Sequence, residues 1–92
     1  MLENKKILIT GSSRGIGAAT ARLAKDYGAN VVLHGRTESA DLINLARELS
    51  SRYIYCDVAD ETAVKREVNK LDGIDILVNN AGINPSKTFM EL

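Results

Sequence analysis

Four short apolar runs, each followed by a stretch of helical periodicity or its beginning, constrain this chain more than anything else in it. The runs lie within Lys5–Thr10, at Val31-Val32-Leu33, at Tyr53-Ile54-Tyr55-Cys56 and at Ile76-Leu77-Val78. Each is compact, unalternating and closed by a turn-forming or polar residue, which is the pattern of a strand buried on both faces. After the first, Ile16, Ala19, Leu23, Ala24 and Tyr27 recur at helical spacing and predict the apolar face of a helix, with Gly28 as its left-handed terminator. Leu42, Leu45, Ala46 and Leu49 mark a second helix over Ser39–Ser50. Val64, Val68 and Leu71 mark a third, with Asp60 as N-cap and Glu61 suiting its dipole, ended at Asp72-Gly73. The last ten residues read as loop, in which a helix beginning near Thr88 is the alternative. Strands alternating with helices imply an α/β fold with a parallel sheet, right-handed crossovers and three crossover helices. The expected strand order is 3-2-1-4, half of a doubly wound sheet, with a ligand crevice at the carboxyl ends where the order reverses.

Composition narrows the class. The chain has 92 residues, enough for one domain. Its 12 basic and 12 acidic residues cancel, so nothing in the overall charge points to nucleic acid or a membrane surface. A single cysteine, Cys56, cannot close an internal disulfide, and no apolar run is long enough for a signal or a membrane span, so a cytoplasmic location is expected. One histidine, His34, rules out a histidine-based metal cluster. At a strand end His34 is expected to be structural or solvated, and Cys56 to serve as a small core hydrophobe.

The chemistry is concentrated in Thr10-Gly11-Ser12-Ser13-Arg14-Gly15-Ile16-Gly17, between the first strand and the first helix. Gly11 allows a sharp exit from the strand, Gly15 leaves room for a pyrophosphate, and Gly17 permits close packing of the helix. The helix start offers amide donors and partial positive charge, and Ser12 and Ser13 can add hydroxyls. The plain alternative is a glycine-rich turn that serves only the fold. After the second strand comes His34-Gly35-Arg36-Thr37, with no carboxylate before Glu38. A ribose with free hydroxyls is usually gripped by a carboxylate there, whereas a 2′-phosphate needs cations. Arg14, Arg36 and the Thr37 hydroxyl suit the phosphate and favour NADP(H), with NAD(H) and two solvated arginines as the alternative. Asp57 and Val58, after the third strand, could accept from an adenine amino group and cover its ring, or could simply begin the next turn. Asn79-Asn80-Ala81-Gly82 ends the fourth strand with small residues that admit a ribose and amides that can tie loops together.

As a set, Thr10–Gly17, Cys56-Asp57-Val58 and Asp75–Gly82 resemble the short-chain dehydrogenase/reductase family, in its order and spacing and across essentially the whole chain. Within the family the chain looks most like the NADP-preferring branch, such as 3-oxoacyl-acyl-carrier-protein reductases. The resemblance implies the first half of a Rossmann fold and an oxidoreductase acting on a ketone/alcohol pair. It implies that Gly11, Ser12, Ser13, Arg14, Gly15, Ile16 and Gly17 hold the pyrophosphate, with Arg14 reaching the 2′-phosphate alongside Arg36 and Thr37. Asp57 and Val58 would contact adenine. Asn80, Ala81 and Gly82 would line the ribose, while Asn79 and Asn80 brace the sheet.

The departure from the family lies in its catalytic tyrosine and lysine. Tyr27, Tyr53 and Tyr55 are followed at the Tyr-x-x-x-Lys spacing by Val31, Asp57 and Ala59, and family members run much longer. Residues 1–92 therefore read as a dinucleotide-binding segment that stops before the catalytic half, with no catalytic residue of its own, and the chain alone is expected to be inactive. Two other readings stand beside this one: a non-catalytic dinucleotide-binding module, and an excised or designed half-Rossmann unit that self-assembles. The fourth strand would be an edge with Ile76, Leu77 and Val78 partly bare, so self-association there, or a complementing C-terminal half, is expected.

Overall fold

The computed structural model describes residues 1–80. Its elements are β1 (Lys6–Ile9), α1 (Gly15–Asp26), β2 (Asn30–Gly35), α2 (Ala40–Leu49), β3 (Arg52–Tyr55), α3 (Glu61–Asn69) and β4 (Ile76–Val78). All strand pairs are parallel and the order is β3-β2-β1-β4, as the alternation of runs and helices predicts. The C-terminal loop, with its alternative helix start near Thr88, lies outside the described residues.

Register places side chains of alternating parity on opposite faces of the sheet. Ile7, Ile9, Val31 and Leu33 meet α1 and α2, with Leu42, Leu45, Ala46 and Leu49 closing that core. Leu8, Val32 and Ile54 face the other way, against Ala63, Val64 and Leu71 of the α3 segment. Leu8, Ile9, Leu33, Leu42, Leu71 and Val64 are essentially sealed from solvent. Burial of each such side chain stabilises the fold by about 1.5–3 kcal/mol.

Local chemistry fixes the helix starts. The Ser39 hydroxyl accepts from Leu42 N at 3.2 Å, and the Asp60 carboxylate accepts from Ala63 N at 3.1 Å. These bonds satisfy amides that an α-helix otherwise leaves unpaired. Each of these helices also carries an acid in its first turn, Asp41 and Glu61. Helix α1 differs. Its cap residue Arg14 makes no side-chain capping bond, and its first turn holds no acid.

One sequence expectation is corrected in α1. The inward face is Gly17, Ala18, Ala21 and Ala24, not the stripe through Ile16, Ala19, Leu23 and Tyr27. Ala24 is the one residue of the expected face that is buried, and Ile16 is 78% exposed. The reason is distance: a helix lying this close to the sheet admits only small residues on its contact face. The larger Leu23 and Tyr27 fall beside the contact, where with Ile9 and Val78 they line an apolar groove. The bare edge is as expected, since Ile76 and Leu77 are exposed and Val78 is half-buried.

Candidate functional site

The carboxyl ends of β1, β2 and β3 open into a cavity of about 390 Å³. Its walls come from three loops that the sequence singles out separately: Gly11, Ser13 and Arg14 after β1, Arg36 after β2, and Asp57 and Val58 after β3. A smaller cavity of about 190 Å³ adjoins it, sharing Ser13, Arg14 and Arg36 and adding Thr37, Ser39 and Asp41. Ser39 and Asp41 are site residues that the sequence motifs do not flag. They arrive because helix α2 starts beside the turn carrying Thr37.

The glycine turn owes its shape to residues without Cβ atoms. Gly11 and Gly15 have φ of +63° and +64°, a region that side chains disfavour. Around Gly15 nothing lies within 4 Å of where a Cβ would stand, so the space above it is open. Gly17 is required for a different reason: a Cβ there would lie 2.2 Å from the Gly11 carbonyl oxygen and 2.7 Å from Asn80 Nδ2. Helix α1 is thus pressed against its own entry turn. Its first-turn amides, with no acid or side-chain cap competing for them, form a site suited to an anion.

Several predicted site residues are committed to the scaffold. Ser12 is fully buried, and its hydroxyl accepts from His34 N at 2.8 Å, so that group braces β1 against β2. Asn79 and Asn80 serve as expected for bracing: Thr10 Oγ1 donates to Asn79 Oδ1 at 3.1 Å and accepts from Asn80 N at 2.8 Å. The Asn80 amide also donates to the Gly11 carbonyl at 3.2 Å, tying β4 to the glycine turn. Neither asparagine lines the main cavity, which sits over β1–β3 rather than over the β1/β4 gap. Ala81 and Gly82 lie outside the described residues. Ile16 contributes its place in the first turn of α1, with its side chain in solvent.

The charges divide clearly. Arg36, with its side chain 81% exposed, lies 3.7 Å from the Asp57 carboxylate across the mouth of the main cavity. Glu38, the first acid after β2, is held by the Tyr53 hydroxyl, which donates to it at 2.5 Å, and it lines neither cavity. Among the described residues Asp41 is the one carboxylate on the smaller cavity, which it shares with the two guanidiniums of Arg14 and Arg36.

His34 is structural, one of the two roles expected of it, and it reaches beyond its own strand. It is 2% exposed and joins three strand ends. Gly11 N donates to its Nδ1 at 3.0 Å, and its Nε2 lies 2.9 Å from the Cys56 carbonyl. Burial pushes its pKa below the ordinary 6.5, partly offset by the bond to Cys56. Burial likewise pushes the Cys56 thiol up, which keeps it a protonated core residue. No metal-binding cluster of acids, histidine and cysteine exists among the described residues, and no helix among them is long and apolar enough to cross a membrane.

The fold and the glycine turn recur in known proteins. The family model for short chain dehydrogenase matches residues 5–92. The mitochondrial borneol dehydrogenase of Lavandula x intermedia is 41% identical over 92 residues, covering 96% of this chain and 35% of that protein. The 3-oxoacyl-acyl-carrier-protein reductase of Aquifex aeolicus is 35% identical over 101 residues, covering 99% of this chain and 40% of that protein. The solved structure of BdcA in complex with NADPH superposes with a TM-score of 0.80 at 41% identity, covering 89% of this chain and 34% of that one. The chain thus spans little more than a third of the length of the curated relatives it matches. On the family match, the parallel β3-β2-β1-β4 sheet and the glycine turn at its switch point, the chain belongs to the short-chain dehydrogenase/reductase family.

Proposed function

We propose that this chain is the NADP(H)-binding portion of an oxidoreductase that interconverts a ketone and an alcohol, of the 3-oxoacyl type. The observation that carries the reading is the pair of adjoining cavities at the glycine turn, with Arg14 and Arg36 on the walls of both. The residues fit a phosphorylated dinucleotide: an open α1 N-terminus for the pyrophosphate, and two guanidiniums with Thr37 for a 2′-phosphate. Asp57 and Val58, on the wall of the larger cavity, are read as the adenine contacts, the first as an acceptor and the second as an apolar cover. The engagement of Glu38 by Tyr53 supports NADP(H) over NAD(H), because it keeps that carboxylate off the ribose site. When bound, the nicotinamide supplies hydride transfer. The chain supplies docking and orientation, and the absence of Tyr-x-x-x-Lys from it favours an acid/base pair donated by further polypeptide.

The exposed edge of β4 is where we place that further polypeptide. Ile76 and Leu77 are 38% and 37% exposed, and on the α1 face of the same strand Val78 joins Leu23 and Tyr27 in a mainly apolar groove, as a sheet that continues would require. Relatives extending well beyond the matched region support the same occupant.

The test is calorimetric titration of NADP⁺ and NAD⁺ into the chain and into Arg36→Asp. The expected result is a loss of about tenfold or more for NADP⁺, with NAD⁺ nearly unchanged, as for removal of a charge-assisted phosphate contact. Equal loss for both ligands refutes the 2′-phosphate assignment.

A further inference from the structure

We propose that His34 is the positioning residue of the cofactor turn: its neutral imidazole, protonated at Nε2 alone, holds Gly11 in ligand-receiving shape by accepting the Gly11 N–H. The tautomer follows from the partners. A backbone N–H can only donate, so Nδ1 must present its lone pair at 3.0 Å. A carbonyl can only accept, so Nε2 must carry the proton toward Cys56 at 2.9 Å. One side chain therefore links the turn after β1 to the end of β3 from its seat on β2, and it lines the main cavity while doing so. Gly11 needs such a partner. Its amide is part-buried and points to no carbonyl of the β1–β2 ladder, so without the His34 acceptor it would carry the desolvation cost of an unmade bond.

A proton on Nδ1 would set an N–H against the Gly11 N–H and remove the bond. The charge would also lie in a cavity that Arg14 faces from the β1 turn and Arg36 from beyond β2, with the Asp57 carboxylate opposing them from beyond β3 and Cys56 a neutral thiol. Acid therefore loosens the turn, and with it the pyrophosphate seat. This inference rests on the dinucleotide reading for its consequence, but not for its structural core.

The experiment has two arms on the full chain. Without ligand, the His34 ring and the Gly11 amide are followed by NMR from about pH 7.5 to about pH 5. The ring is expected as the Nε2–H tautomer, and the Gly11 amide is expected to titrate with it. An Nδ1–H tautomer, or a Gly11 amide indifferent to the ring, overturns the proposal. With NADP⁺, the wild type is compared with His34→Gln, which offers an acceptor and a donor but does not titrate, and with His34→Phe, which has no lone pair. Relative to His34→Gln, the wild type is expected to lose about tenfold in affinity toward acid, one hydrogen bond's worth. His34→Phe is expected to bind weakly at every pH. The same acid dependence in His34→Gln, from the ligand's own phosphate, overturns the proposal. Failure of every protein to bind NADP⁺ at neutral pH refutes the dinucleotide reading instead, and the ligand-free arm still decides the role of His34.

Discussion

Replacing Gly17 by alanine adds one methyl group at the tightest point of the site. Built on the present backbone, that methyl lies 2.2 Å from the Gly11 carbonyl oxygen, 2.9 Å from its carbon and 2.7 Å from Asn80 Nδ2. The first two are backbone atoms and cannot swing away, so α1 must lift from the turn by roughly an ångström to restore ordinary contact distances. Overpacking of this kind costs about 1–3 kcal/mol, with the upper end expected against a carbonyl. Loss of the Asn80–Gly11 hydrogen bond adds about 1 kcal/mol, and the better helix propensity of alanine returns about as much. The net expectation is a destabilisation of about 2–3 kcal/mol, together with weaker NADP⁺ binding because the α1 amides move with the helix. Urea unfolding followed by circular dichroism measures the first, and calorimetry the second. Gly15→Ala is the matched control: it meets no atom within 4 Å and suffers only the backbone cost at φ +64°, about 1–2 kcal/mol. A Gly17→Ala chain within about 0.5 kcal/mol of the wild type would refute the argument, because it would mean that helix and turn are not pressed together as described.

Other consequences follow from the same contacts. Asp60→Ala removes the α3 cap and is expected to cost about 1 kcal/mol in urea unfolding, with no change in NADP⁺ affinity. Because His34 is held neutral with its pKa depressed, the unfolded chain takes up its proton first. The stability His34 confers is complete above about pH 6.5 and falls as pH drops toward the lower folded value; a urea midpoint that does not fall with acid more in the wild type than in His34→Gln would contradict this. Leu77→Lys places a charge on the bare strand edge, and light scattering should show concentration-dependent association of the 92-residue chain that this substitution abolishes.

Much of the fold was legible because its signals are local. Compact apolar runs mark the strands, Asp60 marks a helix start, and the handedness of crossovers sets the order β3-β2-β1-β4. The glycine turn was legible for the same reason, as Gly11 and Gly15 occupy the positions that need positive φ. What was not legible depends on distance between elements. The stripe through Leu23 and Tyr27 is more hydrophobic than the true contact face of α1, but the sheet lies too close to receive it, so size rather than polarity chose Ala18 and Ala21. His34 reads as an ordinary strand-end residue, since nothing local reveals that Gly11 and Cys56 will reach its two nitrogens from other strands. Ser12 looked available to a ligand, and only the pairing of β1 with β2 brings it to the His34 backbone. Ser39 and Asp41 enter the site because α2 begins beside Thr37, a placement that no motif encodes.

The central claim, that a phosphorylated dinucleotide docks across the carboxyl ends of β1, β2 and β3, is tested most directly by mapping backbone amide shifts as NADP⁺ is titrated into the isotopically labelled chain. The account predicts saturable shifts at Gly11, Ser13, Gly15 and Ile16, at Arg36 and Thr37, and at Asp57 and Val58, with the 36–37 group responding to NADP⁺ but not to NAD⁺. Shifts confined to the apolar groove by Leu23 and Tyr27, or a folded chain whose glycine-turn amides do not respond, would contradict it.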